Sequence, residues 1–284
     1  EDYAFDRRNR SIWKFSIDEP ENRVELAAPE EDAHSPSWSH DGSRIAYICR
    51  GSGQPELWVM NRDGTGKHQR SQNSFPADNP YEETEIFWSQ TGKYIFYTVM
   101  PNGSFYAMAT KLNGQVKQQP QSIQVTGYDK PQNRFDAAKD QFESALYKMN
   151  VETGEAVKLI SEKKRIKIVG WLDNTSLVVS IGKTILKVHP ETGNLETVIT
   201  SAKGFHAMKI HGNTLLTAAC KQQSIEIGHI VKDEYHADTV VEIPGFEAEI
   251  HDWSADGSKL YVTSRYGLSN YLYCIHISNG KITR

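Results

Sequence analysis

The chain has 284 residues, with 32 Lys and Arg against 36 Asp and Glu, a formal net charge of −4 with neutral histidines. That balance excludes a strongly basic nucleic-acid or anionic-membrane binder as the default reading. Its apolar residues, 38% of the total, run only a few at a time, far short of the roughly 20 that span a bilayer, so no membrane insertion by this segment is expected.

The first element is partial. Tyr3-Ala4-Phe5 and residues 11–15 read as second and third strands and Val24-Glu25-Leu26 as a fourth, with nothing left for an innermost strand. The acidic run Glu30-Glu31-Asp32 reads as a solvated linker. The next unit is the clearest: Trp38-Ser39-His40-Asp41-Gly42 leads into the alternating run 43–48, then Leu57-Trp58-Val59-Met60 and the turn Asn61-Arg62-Asp63-Gly64. An Asp-Gly or Asn-Gly pair supplies the residue that tolerates positive φ at a tight turn, and alternation with period 2 supplies half-buried strands. Asp41 and its later counterpart Asp256 are therefore expected to bond their own turn backbone. The tryptophans at these landmarks are expected to fill the space between neighbouring sheets.

A third unit begins near Thr84 with Trp88-Ser89-Gln90-Thr91-Gly92. A fourth is poorly patterned, polar through 117–121 and 128–140 and recognisable only at 145–149 and 157–160. Units five, six and seven begin near Lys167, Phe205 and Glu249, the last carrying His251-Asp252-Trp253-Ser254-Ala255-Asp256-Gly257. Recurrence at about 40 residues is the spacing of propeller blades. The expectation is an all-β chain: a β-propeller of seven four-stranded antiparallel blades, or six if the fourth unit is an insertion. It occupies residues 1–284 as one domain, read as standing alone or as part of a longer parent, since the first residue is Glu1 and not Met.

Trp38 to Gly42 and Trp253 to Gly257, each after a polar segment and before an Ile- or Leu-rich strand, resemble the PD40 (WD40-like) propeller repeats of TolB-type proteins. The resemblance covers most of the chain as architecture and is specific in about two repeats; Thr91 replaces Asp and Met208 replaces Trp in the weaker ones. It implies a propeller located in the periplasm or outside the cell, serving as a protein-binding or sensory module.

Catalytic signatures are missing from the sequence. Gly267-Leu268-Ser269-Asn270-Tyr271 lacks the second glycine of a nucleophile elbow, and Gly182-Lys183-Thr184 reads as a hairpin turn and not as the end of a phosphate loop. No catalytic residue is assigned and no cofactor is demanded. Cys49, Cys220 and Cys274, odd in number and widely spaced, exclude a complete disulfide framework and paired-cysteine zinc motifs, and read as buried apolar residues.

Two sets of side chains remain as candidates. His34, His206 and His251 precede the landmark residues Trp38, Met208 and Trp253, and simple alternation puts each on the same side of its innermost strand as its landmark. Such histidines could hold a divalent metal, as in metal-dependent sugar-acid lyases on similar propellers. Arg50, Arg265 and Tyr266 lie in loops between second and third strands, and Tyr81 and Glu82 just before an innermost strand; exposed Arg and aromatic residues are the anchors binding faces use. The favoured reading is a non-enzymatic extracytoplasmic platform for a protein partner, with no nucleic-acid role. The alternative is a metal-dependent lyase or hydrolase of acidic sugars.

Overall fold

The structure, a computed structural model, describes residues 10–17, 19, 21–52, 55–71, 85–99, 144–172, 175–200, 208–211, 216–221, 224–231, 234–254, 256–267 and 269–284. They form antiparallel sheets, and the chain divides into two compact units, residues 1–165 and 166–284. Among the described residues no helix is long and apolar enough to cross a membrane.

The first unit holds three sheets. β1 (Ile12–Lys14) pairs with β2 (Val24–Ala27) alone. After a short 3-10 turn, Pro29–Glu31, comes a four-stranded meander of β3 (Ala33–Trp38), β4 (Arg44–Cys49), β5 (Glu56–Asn61) and β6 (His68–Gln69). The next sheet is β7 (Ile86–Trp88), β8 (Tyr94–Val99), β9 (Ser144–Asn150) and β10 (Ala156–Glu162). This corrects the expected count of seven. The strands assigned to separate third and fourth units run in one unbroken register, from Tyr94↔Asn150 to Val99↔Ala145. Among the described residues there are five four-stranded sheets and one two-stranded sheet. The polar stretch between β8 and β9 was counted toward a repeat because strands on both sides of it are apolar, yet it contributes no described strand.

The second unit holds three more meanders: β11 (Ile166–Trp171), β12 (Leu177–Ile181), β13 (Thr184–Val188) and β14 (Leu195–Thr200); β15 (Met208–His211), β16 (Leu216–Lys221), β17 (Ser224–Val231) and β18 (Glu234–Glu242); β19 (Phe246–Trp253), β20 (Lys259–Tyr266), β21 (Ser269–His276) and β22 (Ile282–Thr283). Gly182 and Lys183 are the two-residue turn between Ile181 and its partner Thr184, with Gly182 at φ 62°, as the hairpin reading requires.

Alternation in each central strand covers both of its faces. On β4, Ala46 and Ile48 pack with Ile86, Trp88, Ile95 and Val99 of the following sheet, while Ile45, Tyr47 and Cys49 pack with Ile12, Leu26 and Ala27 of the preceding one. On the second unit's final sheet, Leu260 and Val262 meet Ile225, Ile227 and Val241 of its neighbour. Burying such side chains is worth roughly 1.5–3 kcal/mol each, so stacking of sheet on sheet is the main stabilising term.

The linker reading of Glu30-Glu31-Asp32 is also corrected. Asp32, in the left-handed region at φ 42°, is buried and takes the Arg10 Nε proton donor at 2.9 Å, and Glu31 takes Lys67 Nζ at 2.6 Å. Glu31 and Asp32 are thus ion-paired, while Glu30 is exposed as expected.

Candidate functional site

The turn acids fulfil their expected role. Asp41 Oδ1 accepts from Ser39 Oγ at 2.6 Å and from the Ser43 N–H at 3.1 Å, and Ser43 Oγ donates to both carboxylate oxygens at 2.8 Å. Those donors, the Ser39 hydroxyl foremost, hold Asp41 down to about 2. Asp256 repeats the clasp with Ser254 and Ser258 and is held well below the usual carboxylate range for the same reason. Both carboxylates thus serve their own turns, Oδ1 taking most of the donors.

The innermost strands do not alternate simply. β3 carries a bulge between His34 and Ser37, with Ser35 at φ 53°; β11 carries one at Ile168–Gly170; β19 carries two. A bulge inserts a residue and re-aims the side chains beyond it. His34 pairs with Ile48, on the face toward the following sheet, whereas Trp38 pairs with Ile45, on the opposite face. On β19, Ile250 and Trp253 share the packed face, and His251 sits at the bulge between them, exposed, with Nε2 2.8 Å from Thr263 Oγ1. The expectation that each histidine shares a side with its landmark therefore fails for His34 and His251, because the inserted residue breaks the period of 2.

His34 is buried, its Nδ1 3.0 Å from Ser35 Oγ. It lies near Asp32: burial pushes that carboxyl up, but the Arg10 guanidinium, the Arg10 N–H and the charge of His34 together bring it below its ordinary value. The sequence marks Asp32 as part of an acidic run, but no spacing pattern signals its pairing with Arg10, 22 residues away. His206 lies outside the described residues, as do Tyr81 and Glu82. Among the described residues no group of three His, Cys, Asp or Glu side chains is gathered so as to hold a metal ion.

Of the residues read as loop candidates, Arg265 and Tyr266 prove to be the last two residues of β20. Arg50 directly follows β4 and is half-buried, its N–H donating to the Glu31 carbonyl at 3.2 Å. Arg265 and Tyr266 close β20 at a tight hairpin, pairing with Asn270 and Ser269, and both are exposed, Tyr266 at 65%. The tip is built rigidly. Gly245, at φ +100°, passes so close that a Cβ there would lie 2.3 Å from the Arg265 carbonyl oxygen, so only glycine admits this approach of the chain entering β19. As consecutive strand residues, Arg265 and Tyr266 put an exposed guanidinium and an exposed phenol on opposite faces of the hairpin tip, and the phenol offers a large contact area with little rotameric entropy to lose. Of the cysteines read as buried, Cys49 is so, with Sγ donating to the Glu31 carbonyl at 3.2 Å, Cys274 is half-buried, and the side chain of Cys220 lies outside the description.

No protein-family model matches the sequence, and no curated protein matches it. Solved structures match it by shape. TolB from Acinetobacter baumannii aligns over 96% of this chain with a TM-score of 0.68 at 11% identity, and this chain spans 58% of that one. A nidogen/laminin complex aligns at 0.60, with 10% identity over 93% of this chain and 83% of that one. The β-propeller domain of the trilobed protease from Pyrococcus furiosus aligns at 0.51, with 11% identity over 96% of this chain and 75% of that one. An oligogalacturonate lyase and acylaminoacyl peptidases also align, so this architecture carries unlike functions. What the likeness defines is the class: an all-β propeller with four-stranded antiparallel blades.

Proposed function

We propose that this propeller is a non-enzymatic platform that binds a protein partner outside the cytoplasm. The observation that carries the reading is the β20–β21 tip, where Tyr266 and Arg265 are displayed on a pinned hairpin between second and third strands. Tyrosine and arginine are the residue types enriched at the energetic centres of protein interfaces. The placement outside the cytoplasm rests on the PD40 resemblance, and the single domain over 1–284 is part of the same reading. Arg50, Tyr81 and Glu82 belong to it as further contacts.

The test is capture of extracytoplasmic proteins by the purified chain, followed by affinity measurement with the captured protein. Tyr266→Ala and Arg265→Ala should each weaken binding by at least about 2 kcal/mol, roughly thirtyfold, while the fold remains intact by circular dichroism. Unchanged affinity in both variants rules out this tip. A stoichiometric metal that disappears in His206→Ala and His251→Ala, with turnover of an acidic sugar, replaces the platform with the lyase reading.

A further inference from the structure

The outer half of the sheet β15–β18 carries an arrangement unconnected with the histidines of the innermost strands. β17 and β18 pair from Ser224↔Glu242 to Val231↔Glu234, with a bulge: Ile227 faces Thr239 and Gly228 faces Ala237, so Asp238 is the inserted residue. Gly228 makes the bulge feasible, because a Cβ there would lie 2.1 Å from the His236 carbonyl oxygen. The close approach sets His229 directly opposite His236. Residues directly opposite on an antiparallel pair have Cβ atoms about 4.5–5.5 Å apart, within reach of a shared ion at metal–nitrogen distances of about 2.0–2.1 Å.

The inserted Asp238 then turns onto His229: its Oδ2 contacts His229 Nδ1. A carboxylate on one ring nitrogen fixes the tautomer, Nδ1–H donating, so that Nε2 presents its lone pair outward, as in the outer shell of histidine metal sites. Across the strand pair, Glu234 Oε2 lies 3.9 Å from His236 Nε2, too long for a hydrogen bond. Glu234 stands two residues before His236, on the same face, and is 79% exposed, so its carboxylate is free to swing. The imidazoles are 42% and 58% exposed, so an ion reaches them directly from solvent.

We infer that His229 and His236, directly opposite across the strand pair, form a two-imidazole chelating site for a borderline divalent transition cation such as Zn2+, with Asp238 orienting His229 and water completing the coordination. Imidazole favours Zn2+, Cu2+ or Ni2+ over Mg2+ or Ca2+. The ion would clasp the two outer strands of one blade.

The test is calorimetric titration of the full chain with Zn2+, prepared without a metal-affinity tag, together with the imidazole resonances. One equivalent should bind, shifting the rings of His229 and His236. His229→Ala and His236→Ala should each weaken that binding at least tenfold, and Asp238→Asn by about tenfold, as outer-shell partners do. His68→Ala, on the exposed strand β6, should leave it unchanged. Wild-type affinity retained in both His229→Ala and His236→Ala, or no binding by the wild type at millimolar Zn2+, overturns the site. Circular dichroism of the variants separates loss of ligand from loss of fold.

Discussion

Asp41 and Asp256 each gather a serine two residues before and a serine two residues after, and the third copy shows how little of the pattern is needed. There Thr91 stands in the acid's place, its hydroxyl 3.2 Å from Ser89 Oγ and 3.4 Å from the Lys93 N–H. A neutral hydroxyl closes the turn with longer contacts and no charge, so only the acidic copies link turn geometry to pH. Asp41 titrates at about 2 in the folded chain against an ordinary 3.8. Its folded value is depressed, so its contribution is present above about pH 4 and is lost as pH falls toward about 2. In urea unfolding, the gap between wild type and Asp41→Asn should shrink steadily over that interval. A gap independent of pH means that the carboxylate charge is not what the serines hold.

The same landmark tryptophan has different surroundings in different sheets. Trp88 and Trp253 are buried, at 4% and 7% exposure, whereas Trp38 is 46% exposed, which corrects the expectation that all of them fill the space between sheets. The register explains it. Each pairs with a residue facing the preceding sheet: Trp88 with Ile95, Trp253 with Leu260, Trp38 with Ile45. For Trp88 and Trp253 that preceding sheet has four strands; for Trp38 it is β1–β2, with two among the described residues. Trp88 also donates from Nε1 to the Ser37 carbonyl at 2.9 Å and lies under the Arg44 guanidinium, 4.9 Å from the ring centre. Trp88→Ala should therefore cost about 3–5 kcal/mol in denaturant unfolding. Trp38→Ala should cost about 1 kcal/mol. Equal losses would show that exposure at this landmark does not govern its energetics.

At the scale of the molecule, stacked meanders concentrate stability in their central strands. Ala46, Tyr47 and Ile48 on β4, and Val178 and Val179 on β12, are fully buried and flanked by strands on both sides, whereas β18 is an outer strand with five exposed residues in a row from His236 to Val240. Native-state hydrogen exchange should find the slowest amides on β4 and β12 and markedly faster ones on β18. Comparable protection along β18 contradicts its outer position. Binding at the Arg265–Tyr266 tip belongs to this scale too, because a hairpin tip can serve as a rigid anchor only if the sheet beneath it does not open.

What the amino-acid order determined was everything set by neighbours a few residues apart. Turns at Asp41-Gly42, Gly182-Lys183 and Asp256-Gly257, alternating strands and the four-stranded repeat all follow from local φ preference and period-2 patterning. Tertiary structure alone decided which strands share a sheet and which way the side chains of bulged strands point. The strands at 94–99 and 144–150 are separated by a long polar stretch, and only their hydrogen-bonded register makes them one blade in place of two. At His34, His251 and Asp238 a single inserted residue reverses or frees a side chain, and that insertion arises from the fit between two strands. Whether a strand bulges depends on how closely its partner's backbone approaches, as Gly228 shows against His236, and that distance is a property of the pair and not of either sequence.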